Sequence, residues 1–65
     1  MATYFVDWLK GDDSNDGVQP DSAWKTNSKA IEVADEGDVV FVQMMAPPPK
    51  RYVVENGKLK VADNG

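Results

Sequence analysis

The chain contains no cysteine and no histidine. Without cysteine no disulfide can brace it, and its composition carries no mark of the redox compartment. Without histidine it lacks the commonest general base and the commonest transition-metal ligand. No apolar run approaches the roughly 20 residues that a membrane span needs. Asp7 and Lys10 interrupt the N-terminal apolar stretch too early for a signal-peptide core. A soluble protein without a secretory signal is the expectation, and no membrane partner is implied. No basic stripe is present either, so nucleic acid is not an expected ligand.

Charge is abundant but unevenly placed. The net charge is −4, and residues 7 to 21 hold Asp7, Asp12, Asp13, Asp16 and Asp21 against Lys10 alone. That one segment carries the whole excess, because the other acidic and basic side chains cancel. With 65 residues the chain makes a single small domain, and a domain of this size buries only about 60% of its unfolded surface. In the absence of disulfides, a hard cation or a partner subunit is the brace left to it.

Local patterns divide the chain. Thr3 to Trp8 is β-branched and aromatic and predicts a strand, with Tyr4, Val6 and Trp8 on one face and Phe5 and Asp7 on the other. Gly11 to Asp21 has the Gly, Asp, Asn, Ser and Pro content of a loop. Between Ser22 and Asp35, Ala23, Trp24, Ala30, Ile31 and Ala34 fall near one helical face, which Asn27 interrupts. Ser22 or Thr26 would cap that helix and Gly37 would stop it. Asp38 to Met45 carries the continuous run Val39-Val40-Phe41-Val42, the pattern of a strand buried on both faces. Pro47-Pro48-Pro49 ends it as a stiff spacer. From Arg51 to Ala62, two alternating runs flank Asn56-Gly57, the preferred pair of a type I′ hairpin. That turn sets Glu55 against Lys58, Val54 against Leu59 and Tyr52 against Val61. The fold class is α+β, with a β-α-β unit over residues 1–46, the spacer 47–49 and a hairpin over 50–63.

Tyr4 to Asp7, the loop Gly11 to Gly17, Trp24-Lys25-Thr26, Ala30-Ile31 and Gly37 to Val42 follow one another in a recognisable order. This order resembles the N-terminal cap of right-handed parallel β-helix proteins, the pectate-lyase-like architecture of polysaccharide lyases and phage tailspikes. Two features depart from it. Asn27 stands where that family has an apolar helix residue, and Met44-Met45-Ala46, the prolines and the hairpin replace the first coils. The family's catalytic residues sit on later coils, so the resemblance assigns none here. It implies instead a surface meant to cover other protein, and hence a protein partner or self-association, with trimers by analogy to tailspikes. Trp24, Ile31, Val40, Val42, Met44, Met45, Tyr52 and Val54 are the expected interface residues.

Asp12-x-Ser14-x-Asp16-Gly17 matches the first half of a calcium loop, but Ala23 stands where the bidentate glutamate belongs. Asp12, Ser14 and Asp16 are candidate calcium ligands if Asp7, Asp13 or Asp21 completes a different site; otherwise they are loop caps, and no cofactor is expected. Trp8 and Trp24 read as core, since so small a domain needs its largest side chains inside. A carbohydrate-stacking platform is their alternative use. Met44 and Met45 fit either a contact surface or the end of the buried strand. Lys50-Arg51 and Lys58-x-Lys60 read as a solvated hairpin face, or as a match for an acidic neighbour such as another copy's 7–21 loop. With no nucleophile–base pair and no phosphate-binding glycine loop, no enzymatic activity is expected. The sequence thus favours a structural or assembly module, of the kind found in phage virions as decoration, cement or tail-associated proteins. A carbohydrate-binding module, or the truncated N-terminus of a polysaccharide-active β-helix enzyme, is the alternative.

Overall fold

The computed structural model describes residues 2–44 and 48–62. Four strands, β1 (Thr3–Asp7), β2 (Val39–Gln43), β3 (Lys50–Glu55) and β4 (Lys58–Val61), form one mixed sheet in the order β1-β2-β3-β4. β1 and β2 are parallel, with Tyr4 beside Val40 and Val6 beside Val42. A parallel pair requires a crossover, and this one carries a single 3-10 turn at Pro20–Ser22 and the helix α1 (Asn27–Val33). The remaining pairs are antiparallel. Among the described residues no helix is long and apolar enough to cross a membrane.

The hairpin follows its turn chemistry. Asn56 (φ 56°) and Gly57 (φ 73°) both take the left-handed conformation that a type I′ turn demands. Glu55 pairs with Lys58, Val54 with Leu59 and Tyr52 with Val61, as the alternating pattern requires.

The helix is shorter than its apolar pattern. Ala23 is extended (φ −67°, ψ 151°), and Trp24 forms a parallel bridge to Val6. Trp24 N–H donates to the Phe5 carbonyl at 2.9 Å, and Asp7 N–H donates to the Trp24 carbonyl at 2.7 Å. Thr26 is the N-cap, its hydroxyl accepting from Lys29 N–H. Asn27 is therefore the first helical residue, and the interruption of the apolar stripe disappears. Gly37 (φ 86°) lies beyond the helix end at Val33, in a turn closed by Asp38 N–H to the Asp35 carbonyl.

The core lies between one face of the sheet and the α1 side. Val6, Trp24, Ala30, Ala34, Val40, Val42 and Val54 are buried there, with Tyr4, Met44, Tyr52 and Leu59 packed around them. The Tyr4 and Trp24 rings stack with centroids 5.1 Å apart. Trp24 Nε1 donates to the Asn15 carbonyl at 2.6 Å, so the indole ties the 11–17 loop to the core. β2 was expected to be covered on both sides and is covered on one. Val40 and Val42 are fully buried, whereas Val39 and Phe41 are only half-buried.

Candidate functional site

Strand alternation sends Thr3, Phe5, Asp7, Val39, Phe41, Gln43, Arg51, Val53, Glu55, Lys58 and Lys60 to the face opposite the core. Phe5 and Phe41 are register partners there, and their rings stack with centroids 5.6 Å apart. Beside them, Val39 pairs with Val53 and is half-buried like it. Helix α1 packs on the opposite, core side, and among the described residues only the Pro20–Ser22 turn reaches this one. At one end Pro20, Ala23, Gln43 and Pro49 rise around the two phenylalanines to shape a pocket of about 160 Å³. A half-buried apolar strip along the middle of a sheet is surface that a docking partner can finish burying.

The two edges of the sheet differ. The outer side of β1 is sealed by its own loop: Phe5 N–H donates to the Gly17 carbonyl at 2.7 Å, and the Trp24 bonds complete the pairing. Among the described residues β4 has no strand beyond it, and Lys58 and Lys60 guard it, the usual defence of an open edge.

The sequence-nominated interface residues separate into groups. Trp24, Val40, Val42 and Val54 are 1%, 0%, 0% and 3% exposed; they hold this chain's own core together, and a partner meeting the folded chain does not touch them. Met44 and Tyr52 are half-buried against the same core. Ile31 is exposed on α1, and Met45 lies outside the described residues. None of the described residues in that set lies on the open face, which presents Phe5, Val39, Phe41 and Val53. Their signal was present in β1, where apolar residues alternate onto both faces (Tyr4 and Val6 against Phe5).

The tryptophans also part company. Trp24 is core, as its size suggests. Trp8 is 39% exposed, because the Asp7 carboxylate accepts from Leu9 N–H at 2.9 Å and Lys10 N–H at 3.0 Å. This Asx turn ends β1 and swings the next side chain outward. Trp8 Nε1 donates to Asn27 Oδ1 at 3.1 Å. With Lys25, Thr26, Asn27 and Ser28 it lines a shallow depression of about 340 Å³.

In the acidic loop the carboxylates serve as braces. Asp12 accepts from the Ser14 backbone and hydroxyl, and Asp16 accepts from the Ser22 hydroxyl and Val18 N–H. Asp13 accepts from Lys25 N–H, Thr26 N–H and the Thr26 hydroxyl, fastening the loop to the start of α1. The half-motif Asp12, Ser14 and Asp16 thus engages donors of its own loop. Among the described residues no group of three or more His, Cys, Asp or Glu side chains converges as a metal centre would require. Elsewhere, buried Asp38 accepts from Ala2 N–H at 2.9 Å and Asp35 N–H at 2.8 Å, locking the N-terminus to the start of β2.

These bonds set the acid response. Backbone and hydroxyl donors from Ser14 hold Asp12 below the ordinary aspartate range; the Ser22 hydroxyl and then Val18 N–H do the same for Asp16. The Ala2 and Asp35 amides lower Asp38. For Asp13, desolvation pushes upward, but the donors of Thr26 and Lys25 outweigh it. A carboxyl whose folded-state pKa is depressed stabilises the fold fully above the unfolded value of about 3.9 and loses that contribution as pH falls through the folded value. Urea midpoints should therefore be level from about pH 7 to 5 and fall steadily below about pH 4. A midpoint that rises on acidification would contradict this bracing.

Comparison with protein-family models, with curated proteins and with solved structures finds no match.

Proposed function

We propose that this protein is a non-enzymatic assembly module that docks onto other protein through the open face of its sheet, as a decoration, cement or tail-associated component of a phage virion. The observation that carries the reading is the Phe5–Phe41 stack, half-buried on a sheet face that, among the described residues, is walled only at one end, by Pro20, Ala23, Gln43 and Pro49. Burial of such a strip by a partner releases water from apolar surface, at about 25 cal/mol per Å². The order of elements supports the β-helix-cap resemblance in outline: a first strand, an Asp-rich loop, a helix and a strand parallel to the first. The virion assignment rests on that resemblance.

The second reading is a carbohydrate-binding module, or the start of a polysaccharide-active β-helix enzyme. Exposed Trp8, held by Asn27 beside Lys25 and Ser28, favours it, since a rigid aromatic face with neighbouring polar groups suits a sugar ring.

Fractionation of particles from the protein's own source tests the first reading. The protein should sediment with high-mass assemblies, and a Phe41→Lys form should remain in the low-mass fraction with an unchanged far-UV spectrum. A wild-type chain found only in the low-mass fraction removes the assembly role. A glycan array discriminates the alternative: sugar binding abolished by Trp8→Ala, with Phe41→Lys still binding, would replace the first reading with the second.

A further inference from the structure

The molecule separates charge across its sheet. On the β1 side, residues 7 to 21 carry five aspartates and one lysine, a net of −4. On the β3–β4 side the open face carries Arg51, Lys58 and Lys60 against Glu55, a net of +2, while Lys50 alternates to the other face. Between the two lies the uncovered apolar strip. Acidic side, apolar centre and basic side are the two halves of a self-complementary surface.

We infer that the occupant of the open face is a second copy of this chain, stacked face to face about a two-fold axis that runs along the strands. The inference rests on the docking role given to that face above, and it names the partner. Only this axis direction fits the charges. A two-fold along the strands lays β1 of one copy over β4 of the other, and β2 over β3. A two-fold across the strands would lay β1 over β1, acid on acid. Like charges juxtaposed across an interface oppose its formation, whereas complementary ones steer and orient the encounter.

The register then sets which residues meet. Phe5, Phe41 and Arg51 share one row across the sheet, and Thr3, Val39, Val53 and Lys60 share another. Rotation about the strand direction returns each row onto itself reversed. Arg51 of each copy lies over Phe41 of the other, and Val39 lies over Val53. Arg51 already donates to the Ala62 carbonyl at 3.1 Å, which leaves the guanidinium's flat face free to stack on an aromatic ring. Packed sheets sit about 10 Å apart, which such side chains fill.

Edge-to-edge growth is disfavoured on both sides. The β1 edge is sealed by residues 17–24, and two β4 edges would bring Lys58 and Lys60 against their own copies. The Cα atoms extend 26 × 26 × 16 Å, so the broadest outline of the chain sets an upper limit of roughly 600–700 Å² per copy, at the lower bound of specific interfaces, and the dimer should be correspondingly weak.

Sedimentation equilibrium of the full chain over about 5–500 µM tests this. The mass should rise from the 7.1 kDa of one chain towards twice that value. Raising NaCl from about 50 to 500 mM should weaken the dimer several-fold, through screening of the complementary charges. Phe41→Lys should weaken it by about 100-fold or more. Should that variant fail to fold, Arg51→Glu, at an exposed position, carries the test with at least a ~10-fold loss. A wild-type monomer throughout, a three-chain mass, or a dimer indifferent to both variants overturns the inference. A monomer that still sediments with large assemblies would remove the second copy and leave the docking role. A dimer absent from every large assembly would do the reverse.

Discussion

Trp24→Ala should leave the chain largely unfolded at 25 °C. The indole is 1% exposed, stacks on Tyr4 and donates to the Asn15 carbonyl at 2.6 Å. Its backbone supplies two of the three bonds that seal the outer edge of β1. Truncating a buried tryptophan costs about 3–5 kcal/mol. A domain of this length has roughly 3–10 kcal/mol in all, so the loss takes most of what holds the fold. Trp24→Phe separates the causes. It keeps much of the ring volume but strands the Asn15 carbonyl, and should cost about 1–3 kcal/mol. Urea unfolding followed by far-UV circular dichroism reads both. A cooperative Trp24→Ala transition at the wild-type midpoint would mean that the indole does not organise this core.

Gly17→Ala should be nearly as damaging, although it adds a single methyl group. Gly17 has φ 71°, and a Cβ there would enter the Trp24 indole. The backbone cannot withdraw, because Gly17 N–H donates to the Ser22 carbonyl at 2.9 Å and the Gly17 carbonyl accepts from Phe5 N–H at 2.7 Å. Conformational strain of about 1–2 kcal/mol then adds to an overpacking cost of about 1–3 kcal/mol. Gly57→Ala is the matched control. Its φ of 73° is nearly the same, yet nothing lies within 4 Å of the added atom. It should lose only the strain, about 1 kcal/mol. Equal losses in the two variants, read from urea midpoints, would show that the indole does not press on Gly17.

Those two positions show how differently the chain's features were legible. Gly57 could be read directly, because Asn-Gly between alternating runs is a local signal and a hairpin is a local structure. Strand β1 and the existence of a helix after the acidic loop were legible for the same reason. Gly17 read as the turn glycine of half a calcium motif, whereas its place in the fold depends on an indole seven residues away, in a segment that pattern alone assigned to the helix. Trp24 was rightly placed inside, but in the wrong element. Helical spacing of Ala23 and Trp24 with later alanines is a weak constraint, and the backbone of Trp24 satisfies β1's edge instead. Trp8 was misplaced because the Asx turn at Asp7, two residues long, redirects the chain just after the strand.

The candidate site was the least legible part. Val39-Val40-Phe41-Val42 reads equally well as a strand covered on both sides or on one, since apolarity says that a face avoids water and not what it meets. The nominated interface residues fell mostly on the covered side for the same reason.

By itself the sequence determined the local architecture: two strands flanking a loop and helix, a hairpin at Asn56-Gly57, and an acidic segment that holds the net charge. These depend on contacts between near neighbours and on composition. Only the tertiary structure decided that, among the described residues, one sheet face is left half-buried, that the 17–24 segment closes the β1 edge, and that acidic and basic ends lie on opposite sides of a stacked Phe5–Phe41 pair. Each of these is set by which strand pairs with which, and strand order arises from contacts between residues far apart in the chain.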